Sequence, residues 1–114
     1  MLIVDDDKRM VELLAGNFES TFEIKCASNG AEAIKIFTKE PFDIVIMDII
    51  MPIIDGIEAS RALKISQPDI KIIAITCHTD SEELIEAIKP KTDALVFKPF
   101  SLKKLTEKVN ELLK

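Results

Sequence analysis

Short apolar runs alternate with segments of helical period from one end of the chain to the other, and few architectures accept that rhythm. The runs "LIV" (2–4), "FEIKCA" (22–27), "DIVIM" (43–47), "KIIAIT" (71–76) and "ALVF" (94–97) have the length and composition of strands. Between them the apolar spacing changes to that of a helix: Val11, Leu14 and Phe18; Ala33, Ile34 and Phe37; Ala59, Ala62 and Leu63; Leu84, Ile85 and Ile88; Leu102, Leu105, Val109 and Leu112. Capping signals mark the helix starts, with Asn29 ahead of Glu32, Asp55 ahead of Glu58, Thr79 ahead of Glu82, and Ser101 opening the last helix. Asp7, before "KRMVELL", reads as a cap of the first helix and is given no metal role.

Five strands alternating with five helices call for a mostly parallel sheet, because parallel neighbours need a long crossover and a helix is the usual one. The expectation is an α/β fold, a doubly wound three-layer sandwich. The continuous runs "IVIM" and "IIAI" suit central strands buried on both faces, while "FEIKCA" alternates as an edge strand would. A chain of 114 residues fits one domain, 1–114. The formal charge of -5 argues against direct binding of a nucleic-acid backbone. No apolar stretch reaches the roughly 20 residues of a membrane span, and no signal peptide precedes the first strand, so a cytoplasmic location without membrane contact is expected. Cys26 and Cys77 form neither a CxxC pair nor a zinc pattern with His78 and are expected to be free thiols.

In such sheets the ligand crevice lies beyond the carboxyl ends of the strands. The residues gathered there are Asp5, Asp6 and Asp7 after the first strand, Asp48 after the third, Thr76 after the fourth and Lys98 after the fifth. Carboxylates brought this close must protonate, separate or enclose a cation. An oxygen-only set without a His or Cys cluster fits Mg²⁺, with Mn²⁺ able to take its place, and argues against zinc. A metal beside a carboxylate, a hydroxyl and a lysine points to phosphoryl transfer, with Asp48 as the nucleophile and the adjacent Asp5 and Asp6 suited to holding the metal.

The motifs "VDDD" (4–7), "MDIIMPIIDG" (47–56), "AIT" (74–76) and "KPF" (98–100), in this order and spacing, make the whole chain resemble a two-component response-regulator receiver domain of the chemotaxis-regulator kind. The resemblance implies a flavodoxin-like five-stranded parallel sheet in the order 2-1-3-4-5 with five helices. It implies that Asp48 is the phosphoryl acceptor, Asp6 a direct metal ligand and Asp5 a ligand largely through water, with the backbone carbonyl of Ile50 completing the protein's share. Thr76 would move toward the phosphoryl group, Lys98 would be its ionic partner, and Lys98–Pro99 would be a candidate cis bond. The implied partners are a sensor histidine kinase or a histidine phosphotransfer protein upstream. Downstream stands a protein or fused effector domain that reads helix 4, strand 5 and helix 5. Chemistry confined to Asp48 itself would not make the chain an enzyme in the ordinary sense.

The chain departs from the family pattern at several places. Leu95 stands where an aromatic switch residue is usual, Cys77 where a very small residue is usual, and "KPKTDA" (89–94) lacks the common glycine. His78, with no Ser, Cys or metal constellation, reads as a solvated loop residue. By resemblance it and Ile50 occupy positions that tune dephosphorylation, and an apolar Ile50 would orient the attacking water poorly. Met51, Pro52, Asp55 and Gly56 read as loop and helix-start residues. The leucine face of "SLKKLTEKVNELLK" (101–114) reads as core packing. Two rival functions remain open. A degenerate receiver would bind partners without phosphorylation, which Leu95 keeps open. A metal-dependent aspartyl-phosphate phosphatase would require a DxDx[TV] pattern that Asp5, Asp7 and Arg9 do not complete. In the implied strand order Cys26 and Cys77 lie about three strand spacings of ~4.8 Å apart, beyond disulfide reach.

Overall fold

The computed structural model describes residues 1–49, 56–77 and 81–114. Along the chain these form β1 (Leu2–Val4), α1 (Lys8–Phe18), β2 (Lys25–Ala27), α2 (Gly30–Phe37), β3 (Ile44–Asp48), α3 (Gly56–Ser66), β4 (Lys71–Cys77), α4 (Glu82–Ile88), a 3-10 turn (Lys89–Lys91), β5 (Ala94–Lys98) and α5 (Leu102–Leu112). The strands make one five-stranded sheet in the order β2-β1-β3-β4-β5, parallel throughout. The expected α/β architecture and strand order are both found.

Successive strand residues point to opposite faces, and both faces are apolar, so each strand contributes to two cores. Leu2, Val4, Val45, Met47 and Ile72 join Ala33 and Phe37 of α2 and Ala59 and Leu63 of α3. Ile3, Ile44, Ile46, Ile73 and Ile75 join Leu14 and Phe18 of α1 and Leu105 and Val109 of α5 on the other face. A third cluster lies under α4, where Ile49, Ala74 and Ile88 meet Leu84, Leu95 and Ile57. Burying each such aliphatic side chain contributes about 1.5–3 kcal/mol, so the central strands anchor the fold. The leucine face of α5 is core, as its sequence suggests.

Three local expectations are corrected. The strand expected over 22–27 is shorter, Lys25–Ala27, because β2 pairs residue for residue with the three residues of β1 and has no further partner. Phe22 and Ile24 instead pack on the α1/α5 core, with Phe22 meeting Phe18 edge to face at 6.0 Å. β3 runs one residue later than expected, because Asp48 still pairs with Ile75. The cap of α4 is Ser81, whose Oγ accepts from the Leu84 N–H at 3.1 Å, rather than Thr79. Asp7, Asn29 and Ser101 cap α1, α2 and α5 as their spacing indicates. Thr79, Asp55, Met51 and Pro52 lie outside the described residues. Cys26 on β2 and Cys77 at the end of β4 are not joined in a disulfide, and the Lys98–Pro99 bond is cis. Among the described residues, no helix is long and apolar enough to cross a membrane.

Candidate functional site

The strand order reverses at β1: the chain leaves it toward β2 and returns on its other side as β3. The crevice of a parallel sheet opens at such a point, above the carboxyl ends of the strands. Asp5 follows β1 there, and Asp48 ends the neighbouring β3. Their placement is a consequence of topology, since the two positions are some forty residues apart along the chain and adjacent only through the sheet.

Asp5 is 2 % exposed. Its N–H donates to the Ala27 carbonyl at 3.1 Å, which fixes its backbone against β2. One carboxylate oxygen, Oδ1, accepts from the Asp7 N–H at 2.9 Å, while the buried Oδ2 has no hydrogen-bond partner among the described residues. Burial pushes the Asp5 carboxyl up to about 6; the Asp48 and Asp6 charges add to the rise, and the Asp7 N–H and Lys98 oppose it. Asp6 is exposed, and Asp5, Asp6 and Asp48 each bring an oxygen within 4.8 Å of the others.

Lys98, at the end of β5, reaches across the sheet and places Nζ 3.4 Å from Asp48 Oδ2, with the two side chains 28 % and 11 % exposed. Burial disfavours the charged ammonium, but the Asp48 and Asp5 carboxylates outweigh it, and the Lys98 pKa is raised. One lysine faces three carboxylates, so the site as built carries surplus negative charge. Thr76 is buried on β4, one residue beyond the partner of Asp48 in the strand pairing, and Cys77 pairs with Lys98 in register.

The sequence-based set is thus gathered at one sheet edge: Asp5, Asp6, Asp48 and Lys98 by direct approach, Thr76 by register. Ile50 and His78 lie outside the described residues. The donor set fits Mg²⁺: it is made of oxygens, its charge surplus asks for a cation, and the orphaned Asp5 Oδ2 is a buried acceptor that a hard cation or its water would satisfy. Leu95 sits in the third apolar cluster with Ile49, the residue that follows Asp48, and with Leu84 and Ile88 of α4. In the sequence Leu95 stands out only as a departure from the family pattern; its packing has no local signal there, and it joins the site's edge to the α4–β5 side of the molecule.

Comparisons with known proteins agree with this geometry. A family model described as the response regulator receiver domain matches residues 1–110. The Chemotaxis protein CheY of Halobacterium salinarum is 36 % identical over 114 residues, covering 99 % of this chain and 95 % of that protein. The response regulator SaeR of Staphylococcus epidermidis is 34 % identical, covering 99 % of this chain and 49 % of SaeR, so the chain spans about half the length of that relative. Among solved structures, a CheY-like response regulator receiver domain protein from Methanospirillum hungatei has a TM-score of 0.92 at 28 % identity, with 98 % of this chain and 90 % of that one covered. The receiver domain of NtrX from Brucella abortus has a TM-score of 0.89 at 23 % identity, covering 98 % and 96 %, a likeness of fold alone.

Proposed function

The chain belongs to the response-regulator receiver domain family of two-component systems, and on that premise we propose that Asp48 accepts a phosphoryl group from a sensor histidine kinase or a histidine phosphotransfer protein. The observation that carries the reading is the approach of Lys98 to Asp48 at 3.4 Å beside two further carboxylates. Asp5, Asp6 and Asp48 would hold Mg²⁺, the ion that receiver domains generally use. When bound, the ion neutralises phosphoryl oxygens.

In the transfer, an Asp48 carboxylate oxygen forms a bond to phosphorus as the phosphorus–nitrogen bond to the donor imidazole breaks, and the electron pair leaves with the imidazole. Lys98 keeps its proton, because its pKa is raised, and supplies a fixed positive charge beside the acyl phosphate. The Thr76 hydroxyl donates to a phosphoryl oxygen. Asp5 orients the acidic end of the site, its own carboxylate held by the Asp7 N–H. The phosphoryl group adds about -1.5 to -2 charge, enough to redraw the contacts of Thr76 and Lys98 and shift a two-state surface.

The α4, β5 and α5 face is where a downstream protein or fused effector domain would read that shift, and the Ile49–Leu95–Leu84 packing gives the site a physical route to it. The chemistry is confined to the chain's own aspartate, and the reading places it in the cytoplasm. The test is intact mass after incubation with acetyl phosphate, with and without Mg²⁺, on the wild type and on Asp48→Asn. One added phosphoryl group that requires both Mg²⁺ and Asp48 is expected; an adduct that persists in Asp48→Asn, or none in the Mg²⁺-bound wild type with either acetyl phosphate or a phosphohistidine donor, contradicts it.

A further inference from the structure

We propose that Gly56 is a positioning residue for Asp48. The first residue of α3 seats on the backbone of the strand end that carries the carboxylate, and only a residue without a side chain permits the approach. The inference rests on the reading of Asp48 as phosphoryl acceptor and extends it to the start of α3.

The Gly56 N–H donates to the Ile49 carbonyl at 2.7 Å. A Cβ built on Gly56 would lie 2.6 Å from Ile49 Cα, 2.8 Å from the Asp48 carbonyl oxygen and 2.9 Å from the Ile49 carbonyl oxygen. All three are backbone atoms, which cannot rotate aside as a side chain can. No described glycine has a positive φ, so space rather than conformational freedom is what Gly56 supplies. By contrast, a Cβ at Gly16, inside α1, would meet nothing within 4 Å.

Neither side of the contact yields easily. The Ile49 N–H donates to the Ile75 carbonyl at 3.1 Å, and the Ile49 side chain is buried against Ala74 and Ile88. α3 is held by buried Ala59, Ser60 and Leu63, and near its far end Lys64 Nζ donates to the Ile70 carbonyl at 2.6 Å. A methyl group at 56 therefore displaces the Asp48–Ile49 peptide, the helix, or both. Carboxylates that must share a cation tolerate only about 0.5 Å of error. Displacement of the Asp48 backbone changes the spacing of its carboxylate from the oxygens of Asp5 and Asp6, which lie within 4.8 Å.

The experiment compares Gly16→Ala with the double variant Gly16→Ala/Gly56→Ala, the first change offsetting part of any general loss of stability. Mg²⁺ affinity is followed by amide NMR, and amide exchange is measured without Mg²⁺. The expected result is Mg²⁺ binding weakened about tenfold or more in the double variant, with the Ile49 amide exchanging faster than the amides of central β4. Unchanged Mg²⁺ affinity of the folded protein, or a uniform rise in exchange across the core, overturns the proposal. Should the double variant not fold, exchange in the wild type decides: Mg²⁺ slows the Ile49 and Gly56 amides together if they are joined as inferred, and slowing at Ile49 without Gly56, or at neither, overturns it. Both readouts are independent of phosphorylation. A wild type that binds Mg²⁺ yet takes up no phosphoryl group contradicts the proposed function, whereas loss of this effect contradicts only the role of Gly56.

Discussion

Two Asp–Lys pairs stand at opposite ends of the sheet, and they are built for different ends. At the amino ends of β4 and β5, Asp93 Oδ2 accepts from Lys64 Nζ at 2.9 Å and from the Ile72 N–H at 2.8 Å, while the Asp93 N–H donates to the Ile72 carbonyl at 2.8 Å. Lys64 is held a second time by the Ile70 carbonyl. At the carboxyl ends, Asp48 and Lys98 stand farther apart, at 3.4 Å, with Asp5 and Asp6 close by and Asp5 Oδ2 without a hydrogen-bond partner among the described residues. The two lysine side chains are equally exposed, at 28 %, while Asp48 is the more buried aspartate, at 11 % against 22 % for Asp93. The Asp93 pair balances its charges and pins α3 and the α4–β5 connection to β4. The Asp48 pair is embedded in an excess of negative charge among the described residues, three carboxylates beside one lysine, and that imbalance distinguishes a site from a clamp.

Among single substitutions, the structural pair should give the largest effect. Asp93→Ala removes the partner of Lys64 and strands the Ile72 N–H, and is expected to lower stability by about 2–3 kcal/mol in denaturant unfolding. A loss below about 0.5 kcal/mol would mean that the clamp is ornamental.

The functional half responds to pH. With the Asp5 carboxyl raised from 3.8 to about 6, the folded chain holds a proton that the unfolded chain has already lost between those values. Its contribution is full below the lower value and disappears as pH rises through the upper one. For this residue alone the Mg²⁺-free protein loses on the order of 3 kcal/mol across that window. Mg²⁺ competes with the same proton, so its affinity should rise with pH through about 6; affinity independent of pH over that window would be evidence against Asp5 as a ligand. A smaller effect sits outside both pairs: Ser81→Ala should cost about 1 kcal/mol through loss of the α4 cap, and thermal unfolding unchanged by it would place the helix start elsewhere.

The architecture was legible because periodicity survives in the chain: the faces of β3 and β4 and the apolar stripes of α2, α3 and α5 are local patterns. The site was legible in composition and order, since each polar residue follows or ends an apolar run that the sheet aligns. Boundaries were less so. Asp48 belongs to β3 because its pairing with Ile75 outlasts the apolar run, and β2 is short because β1 is short; neither limit is written in the strand that shows it. The Asp93 clamp and the close approach of Gly56 to Asp48 had no local signature at all. Lys64 and Asp93 are joined by tertiary geometry, and Gly56 read as a helix-start glycine because a steric exclusion leaves no mark beyond the missing side chain.

The most direct test of the imbalance is the unfolding free energy of the wild type and Asp5→Asn near neutral pH, each without and with saturating Mg²⁺. Without the ion, Asp5→Asn should be the more stable by about 1–2 kcal/mol, because a buried charge has been removed while the oxygen that accepts from the Asp7 N–H is retained. With the ion, the wild type should gain stability and Asp5→Asn should gain little. An Asp5→Asn protein that is less stable without Mg²⁺, or one that Mg²⁺ stabilises as much as the wild type, would contradict the claim that the carboxyl edge of this sheet carries a surplus of negative charge that a cation relieves.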